Sequence, residues 1–206
     1  MIRLILNDEH LGGVLEEALG ACRRRLFIAT ADVKDVILPV PWLDAASAPS
    51  HVRPDESGYV ACVRKRRKPR HRAWRRAATI LDVFQELSDK GVEIHLLHSG
   101  VPSGPFLEDL KHRKAPALLM RRCVRVHAKV VIADGRWMYL GSANLTGAGL
   151  GAKSDRRRNF EAGIWTDQTD LIDPVCDMLD GIWSGAQCAT CGRKAHCPVP
   201  LEEPNL

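Results

Sequence analysis

The sequence predicts an α/β fold, a mixed β-sheet flanked by helices, followed by a small Cys-rich C-terminal appendage. Three observations carry this. Strand-length apolar runs, RLFIATADV at 25–33, VEIHLL at 92–97 and VRVHAKVVIAD at 124–134, read as buried strands. Segments with helical spacing of apolar residues alternate with them, as layered α/β proteins require. The pair Asp134-Gly135 between two apolar runs predicts a hairpin turn.

The elements follow in order. Residues 9–24 place Leu11, Val14, Leu15, Ala18, Leu19 and Cys22 on one helical face. The strand at 25–33 comes next. Residues 39–58 hold Pro39, Pro41, Pro49, Pro54 and Gly58 and read as a long loop. From Trp74 to Lys90 the spacing of Ala77, Ile80, Leu81, Phe84 and Leu87 predicts a helix ending at Gly91. The strand at 92–97, a loop and a short helix (FLEDLKHR) precede the long run from Val124. WMYLGSANL is its hairpin partner, and NFEAGIWTD, after a Gly- and Arg-rich loop, is a further strand. Residues 169–183 form a helix with Leu171, Ile172, Val175, Leu179, Ile182 and Trp183 inward. The chain divides into a catalytic unit at 1–185, with a basic insertion at about 44–76, and a tail at 186–206.

With 206 residues, 45% apolar and 27% charged, the chain can bury a real core without disulfides. No apolar run reaches the roughly 20 residues of a membrane span. The start MIRLILNDEHLGG is too short and too soon acidic for a secretory leader, so a cytoplasmic protein is expected. Seven cysteines, an odd number, then argue for reduced thiols or metal ligands.

The net charge of +5 is unevenly distributed. Nine of the thirteen residues from 64 to 76 are cationic: Arg64, Lys65, Arg66, Arg67, Lys68, Arg70, Arg72, Arg75 and Arg76. The remainder of the chain is mildly acidic, at −4. A dense basic segment on such a body suits phosphates, in nucleic acid or at an anionic surface.

The chemistry concentrates around the hairpin. His127 and Lys129 are two apart, Asp134 follows in the turn, and Gly141-Ser142-Ala143-Asn144 lies on the return. Asn159 and Glu161 stand on the next strand. Residues i and i+2 of a strand share a face, so His127 with Lys129 and Ser142 with Asn144 can meet, and Glu161 can join them. Imidazole, ammonium, amide, hydroxyl and carboxylate together suit phosphoryl transfer. The imidazole attacks phosphorus, Lys and Asn stabilise the equatorial oxygens, and a carboxylate orients the imidazole. Asp134, at odd spacing and in a turn, is expected to brace the hairpin.

HAKVVIADGRWMYLGSANLT with the downstream NFE resembles the signature of the phospholipase D superfamily, HxKx4D, GSxN and NxE. The resemblance covers about residues 20–184. It implies a phospholipase D-like α/β sandwich and a catalytic set of His127, Lys129, Asp134, Ser142, Asn144 and Glu161. The full pattern occurs once here, whereas most members carry two copies and use two histidines. The resemblance therefore implies a homodimer that supplies the second histidine, as in the small metal-independent nucleases of the superfamily. No cofactor is implied for catalysis. Proteins of this kind also resemble the phospholipase D-like component of DISARM phage-defence systems, which implies helicase or methylase partners.

Three features favour nucleic acid as substrate. The basic segment is Arg-rich, Trp74 within it can stack on a base, and Arg156, Arg157 and Arg158 add a second basic rim. The alternatives are a lipid hydrolase docked through the basic run, and a nucleic-acid-binding subunit with conditional activity. Against lipid, the sequence shows no amphipathic anchor, and aromatic residues make up only 5%.

The tail carries Cys188-x2-Cys191-x5-Cys197, eleven residues and more beyond Cys176. Cys176, Cys188, Cys191 and Cys197 are expected to ligate one structural metal centre. The last three resemble the iron–sulfur staple of RecB-like nucleases, which favours a four-iron cluster, with zinc as the alternative. Cys22, Cys62 and Cys123 are expected to be structural thiols.

Overall fold

A computed structural model describes residues 1–38, 78–113 and 117–204. The loop at 39–58 and the basic segment at 64–76, with Trp74 and Cys62, lie outside these. Strands β1 (Ile2–Leu6), β2 (Arg25–Thr30), β5 (Glu93–His98), β6 (Leu118–Arg122), β7 (Val130–Ala133), β8 (Trp137–Gly141) and β9 (Ala162–Thr166) form one sheet in the order β1-β9-β8-β7-β2-β5-β6. β2, β5 and β6 are parallel, and the other pairings are antiparallel. β3 (Ile37–Leu38) and β4 (Ala78–Thr79) make a separate two-stranded ribbon.

The sheet has a core on each face, as the fold class predicts. A π-helix (Leu11–Leu19), α1 (Ile80–Asp89) and α2 (Gly104–Lys111) contribute to the larger core, with Leu26, Ile28, Leu96, Val131 and Tyr139 from the strands. α3 (Thr169–Trp183) covers the other face, where Ile172 and Leu179 pack on Phe27, Leu97, Ile132 and Met138. Each fully buried aliphatic or aromatic side chain contributes roughly 1.5–3 kcal/mol.

Five elements depart from the expectation. β1 and β6, both at the sheet edges, carry too few buried residues to announce themselves. The strand expected from 124 begins only at Val130, so His127 and Lys129 lie in an irregular connection before the ladder. α1 starts at Ile80 because Thr79 caps it: the Thr79 hydroxyl accepts from the Asp82 N–H, and the Asp82 carboxylate accepts from the Thr79 N–H. In α3 the bounds 169–183 hold, but Leu171 is exposed.

The β7–β8 turn is built as the Asp-Gly pair predicts. Asp134 and Gly135 both take left-handed backbone angles, φ 55° and 66°, and the Arg136 N–H donates to the Ala133 carbonyl. The Asp134 carboxylate accepts from the N–H groups of Arg23, Arg24 and Arg25 at 2.8–2.9 Å and from the Cys22 thiol at 3.4 Å. It thus ties the hairpin to the start of β2. Those backbone donors outweigh burial and hold its pKa below the ordinary carboxylate value. A depressed pKa means stability that is complete above the unfolded value near 4 and lost as pH falls through the lower folded value. Asp134→Ala is expected to cost about 2–3 kcal/mol and to flatten the acid limb of a pH–stability curve measured by urea unfolding. An unchanged acid limb would refute the tie.

Candidate active site

Lys129 is buried, and its Nζ donates to the backbone carbonyl of His127 at 2.6 Å. Burial lowers its pKa, and the charges of Asp32 and Glu161 partly restore it. The ammonium therefore sits between two carboxylates at the base of the segment that presents His127. His127 is exposed, and its ring makes no hydrogen bond among the described residues.

Asn144 is fixed from its oxygen side. Its Oδ1 accepts from the N–H groups of Ala31 (3.1 Å) and Asp32 (3.2 Å), with Thr30 Oγ1 also 3.2 Å away. With Oδ1 saturated, Nδ2 is the end left to donate outward. The same Thr30 hydroxyl accepts from the Leu145 N–H. Gly149 backs this loop so closely that a Cβ there would stand 2.7 Å from the Asn144 carbonyl. The positioning role of 30–32 was not among the expected site residues. Nothing local marks it, because the contact spans more than a hundred residues of chain.

Ser142 hydrogen-bonds through Oγ to the Glu161 carboxylate, and the Ala162 N–H donates to Ser142 Oγ at 3.0 Å. Asn159 Nδ2 donates to the other Glu161 oxygen at 2.9 Å. Glu161 is buried, and Asn7 holds its backbone: Oδ1 accepts from the Glu161 N–H, and the Asn7 N–H donates to the Glu161 carbonyl. The carboxylate expected to orient His127 is thus engaged by Ser142 and Asn159. The return strand meets the His-Lys segment through Gly141 N–H to Lys129 carbonyl, 3.1 Å. A side chain at Gly141 would stand 2.3 Å from Tyr139 Oη.

The structure therefore gathers Lys129, Ser142, Asn144 and Glu161 beside the segment carrying His127, and it places Asp134 at the far end of the hairpin as a brace. Arg156 and Arg157 are exposed. Arg158 is half-buried and paired with Asp8 (3.2 Å) and Asp155 (3.4 Å). Cys176 lies on α3 packed against the smaller core, with Asp180, Asp173, Arg25 and Asp177 as the charged groups around its thiol. Among the described residues no group of three or more His, Cys, Asp or Glu side chains is arranged to hold a metal ion.

A mixed sheet with Lys, Asn, Ser and Glu gathered near an exposed His at one hairpin is an arrangement chemically suited to phosphoryl transfer. A family profile described as "Cardiolipin synthase, PLD-like domain" matches residues 74–183, and the chain belongs to the phospholipase D superfamily. No curated protein matches the sequence. Among solved structures, a phospholipase D family member, Nuc from Salmonella typhimurium, is 10% identical with a TM-score of 0.57 over 100% of this chain and 99% of its own. NucT from Helicobacter pylori is 12% identical with a TM-score of 0.52, over 86% and 92% respectively. At these identities the likeness is one of fold. No helix among the described residues is long and apolar enough to cross a membrane.

Proposed function

We propose that the protein is a metal-independent nuclease. His127 attacks the phosphorus of a nucleic-acid phosphodiester and forms a phosphohistidine as the leaving oxygen departs; water then attacks the phosphorus and releases the imidazole. The observation that carries this reading is an exposed imidazole on the segment braced by a buried ammonium, with an amide nitrogen beside it whose oxygen end is locked. Lys129 and Asn144 thus offer preorganised donors to the equatorial oxygens, where charge redistributes in the transition state.

The leaving oxygen needs a proton, and the one full motif supplies one histidine. We assign that proton to His127 of the partner subunit in a two-fold dimer. An exposed apolar strip supports such pairing. Leu4, Ile164 and Leu140 align across β1, β9 and β8, and Ile2 and Leu6 extend the row along the edge strand. Leu4, Leu6 and Leu140 are exposed there, and Phe160, next to Glu161, is 94% exposed. A role in phage defence, with helicase or methylase partners gating the activity, is part of the same reading.

The test is incubation of the purified protein in EDTA with labelled single- and double-stranded DNA, RNA and phosphatidylcholine vesicles. Nucleic-acid cleavage is expected, and cleavage of lipid alone would overturn the reading. Neutralising the cations at 64–76 is expected to flatten the salt dependence of nucleic-acid binding, by roughly 0.7–0.9 in log–log slope for each phosphate the protein ceases to neutralise. Hydrolysis of a small phosphodiester should be unchanged.

A further inference from the structure

The tail from Gly185 to Pro204 winds over the protein without a core of its own. None of its residues is fully buried, and its only regular element is a single 3-10 turn at Lys194–His196. Yet one pattern in it is sharp. Of the residues 186–200, all are exposed except Cys188, Cys191 and Cys197. The neighbours face water while the three cysteines stay half-buried, which apolar burial alone does not explain when Val199 stays outside.

They turn toward the end of β6. Arg122 pairs with Glu202 as an antiparallel bridge, its N–H donating to the Glu202 carbonyl at 2.9 Å and its guanidinium meeting the carboxylate at 3.1 Å. The next residue is Cys123, half-buried against the α3-side core. Arg125 Nη1 lies 3.9 Å from Cys191 Sγ, so the tail loop sits directly on the 123–125 turn. Cys197 follows the 3-10 turn as the third half-buried thiol of the tail. The short loop is organised as a knuckle: Cys188 N–H donates to Gly185 carbonyl and Cys191 N–H to Cys188 carbonyl. The Arg193 N–H points at the Cys191 sulfur and lowers that thiol's pKa. All four are free cysteines.

We propose that Cys123, Cys188, Cys191 and Cys197 form a tetrathiolate metal centre that clamps the tail onto the segment leading to His127. Cys123 replaces Cys176 as the fourth ligand. The thiols do not stand as a metal-binding group, and ligation requires the tail loop to close so that each sulfur lies about 2.3 Å from a zinc ion, or on the irons of a cluster. Each thiol gives up its proton on ligation, so binding weakens as pH falls. The negative charge left on the centre meets cations already in place: Arg125 and Lys194 act on Cys191, and Arg122 acts on Cys197. Cys123 N–H donates to the His98 carbonyl and its own carbonyl accepts from Val126 N–H, so a fixed Cys123 fixes the start of the 123–129 connection. The consequence for catalysis rests on the nuclease reading, whereas the ligation does not.

The test is elemental analysis of protein purified anaerobically without chelators. Zinc equimolar with the chain, or iron with an equal amount of acid-labile sulfide, is expected, and either outcome identifies the filling. Cys123→Ser and Cys197→Ser should each lose the metal, and Cys176→Ser should retain it. A wild-type protein that holds neither metal and takes up neither would overturn the proposal, as would a Cys123→Ser protein that keeps its metal. Should Cys123→Ser fail to fold, alkylation of the wild-type protein followed by mass spectrometry decides. Cys123, Cys188, Cys191 and Cys197 should be protected together and exposed together on chelation. Protection of Cys176 in place of Cys123 would refute the ligand set.

Discussion

His127→Ala is expected to reduce phosphodiester turnover by about four orders of magnitude or more, with no loss of folded protein, because it removes the attacking atom. The residue is exposed, and its ring has no hydrogen bond among the described residues, so the fold does not depend on it. His127→Asn should be equally inactive and fold normally. The dimer makes a sharper test. If each site uses both imidazoles, co-expressed wild-type and His127→Ala chains form mixed dimers that lack either nucleophile or acid. Activity should then fall faster than the fraction of wild-type chains. A strictly proportional fall would mean that each chain works alone, and wild-type turnover by His127→Ala would remove the assignment altogether.

The reach of the sequence reading divides along a physical line. Elements with a strong local signal were legible: β2 and β5 from apolar runs, α3 from its periodicity, the β7–β8 hairpin from Asp134-Gly135. β1 was not, because an edge strand with only Ile5 buried has no alternation to read. β6 was not, because LLMRR mixes its burial. The motif residues were legible because their types and spacings are local. Their supports were not: Asn7 under Glu161, the 30–32 backbone around Asn144, and Cys123 opposite the tail are all tertiary. Proximity in sequence pointed to Cys176 as the tail's partner, whereas the bridge that brings the tail to Arg122, the residue before Cys123, joins positions eighty residues apart.

Lys129→Ala is expected to lower kcat/KM about a hundredfold or more, a loss of roughly 3–4 kcal/mol of transition-state stabilisation. Its ammonium is buried, tethered to the His127 carbonyl, and flanked by Asp32 and Glu161. Truncation removes charge from the phosphoryl oxygens and also leaves buried Glu161 without a nearby cation, so some loss of stability should accompany the loss of rate. Lys129→Met separates the two effects: it keeps the packed stem and removes only the charge, and its activity should match that of Lys129→Ala with less thermal destabilisation. Lys129→Arg should not restore the rate, because a planar fork cannot occupy the site of a compact ammonium that already spends one donor on the His127 carbonyl. The measurement is kcat and KM for a small phosphodiester in EDTA. A rise in KM with unchanged kcat would mean that Lys129 only binds substrate, and the preorganised-charge account would fail.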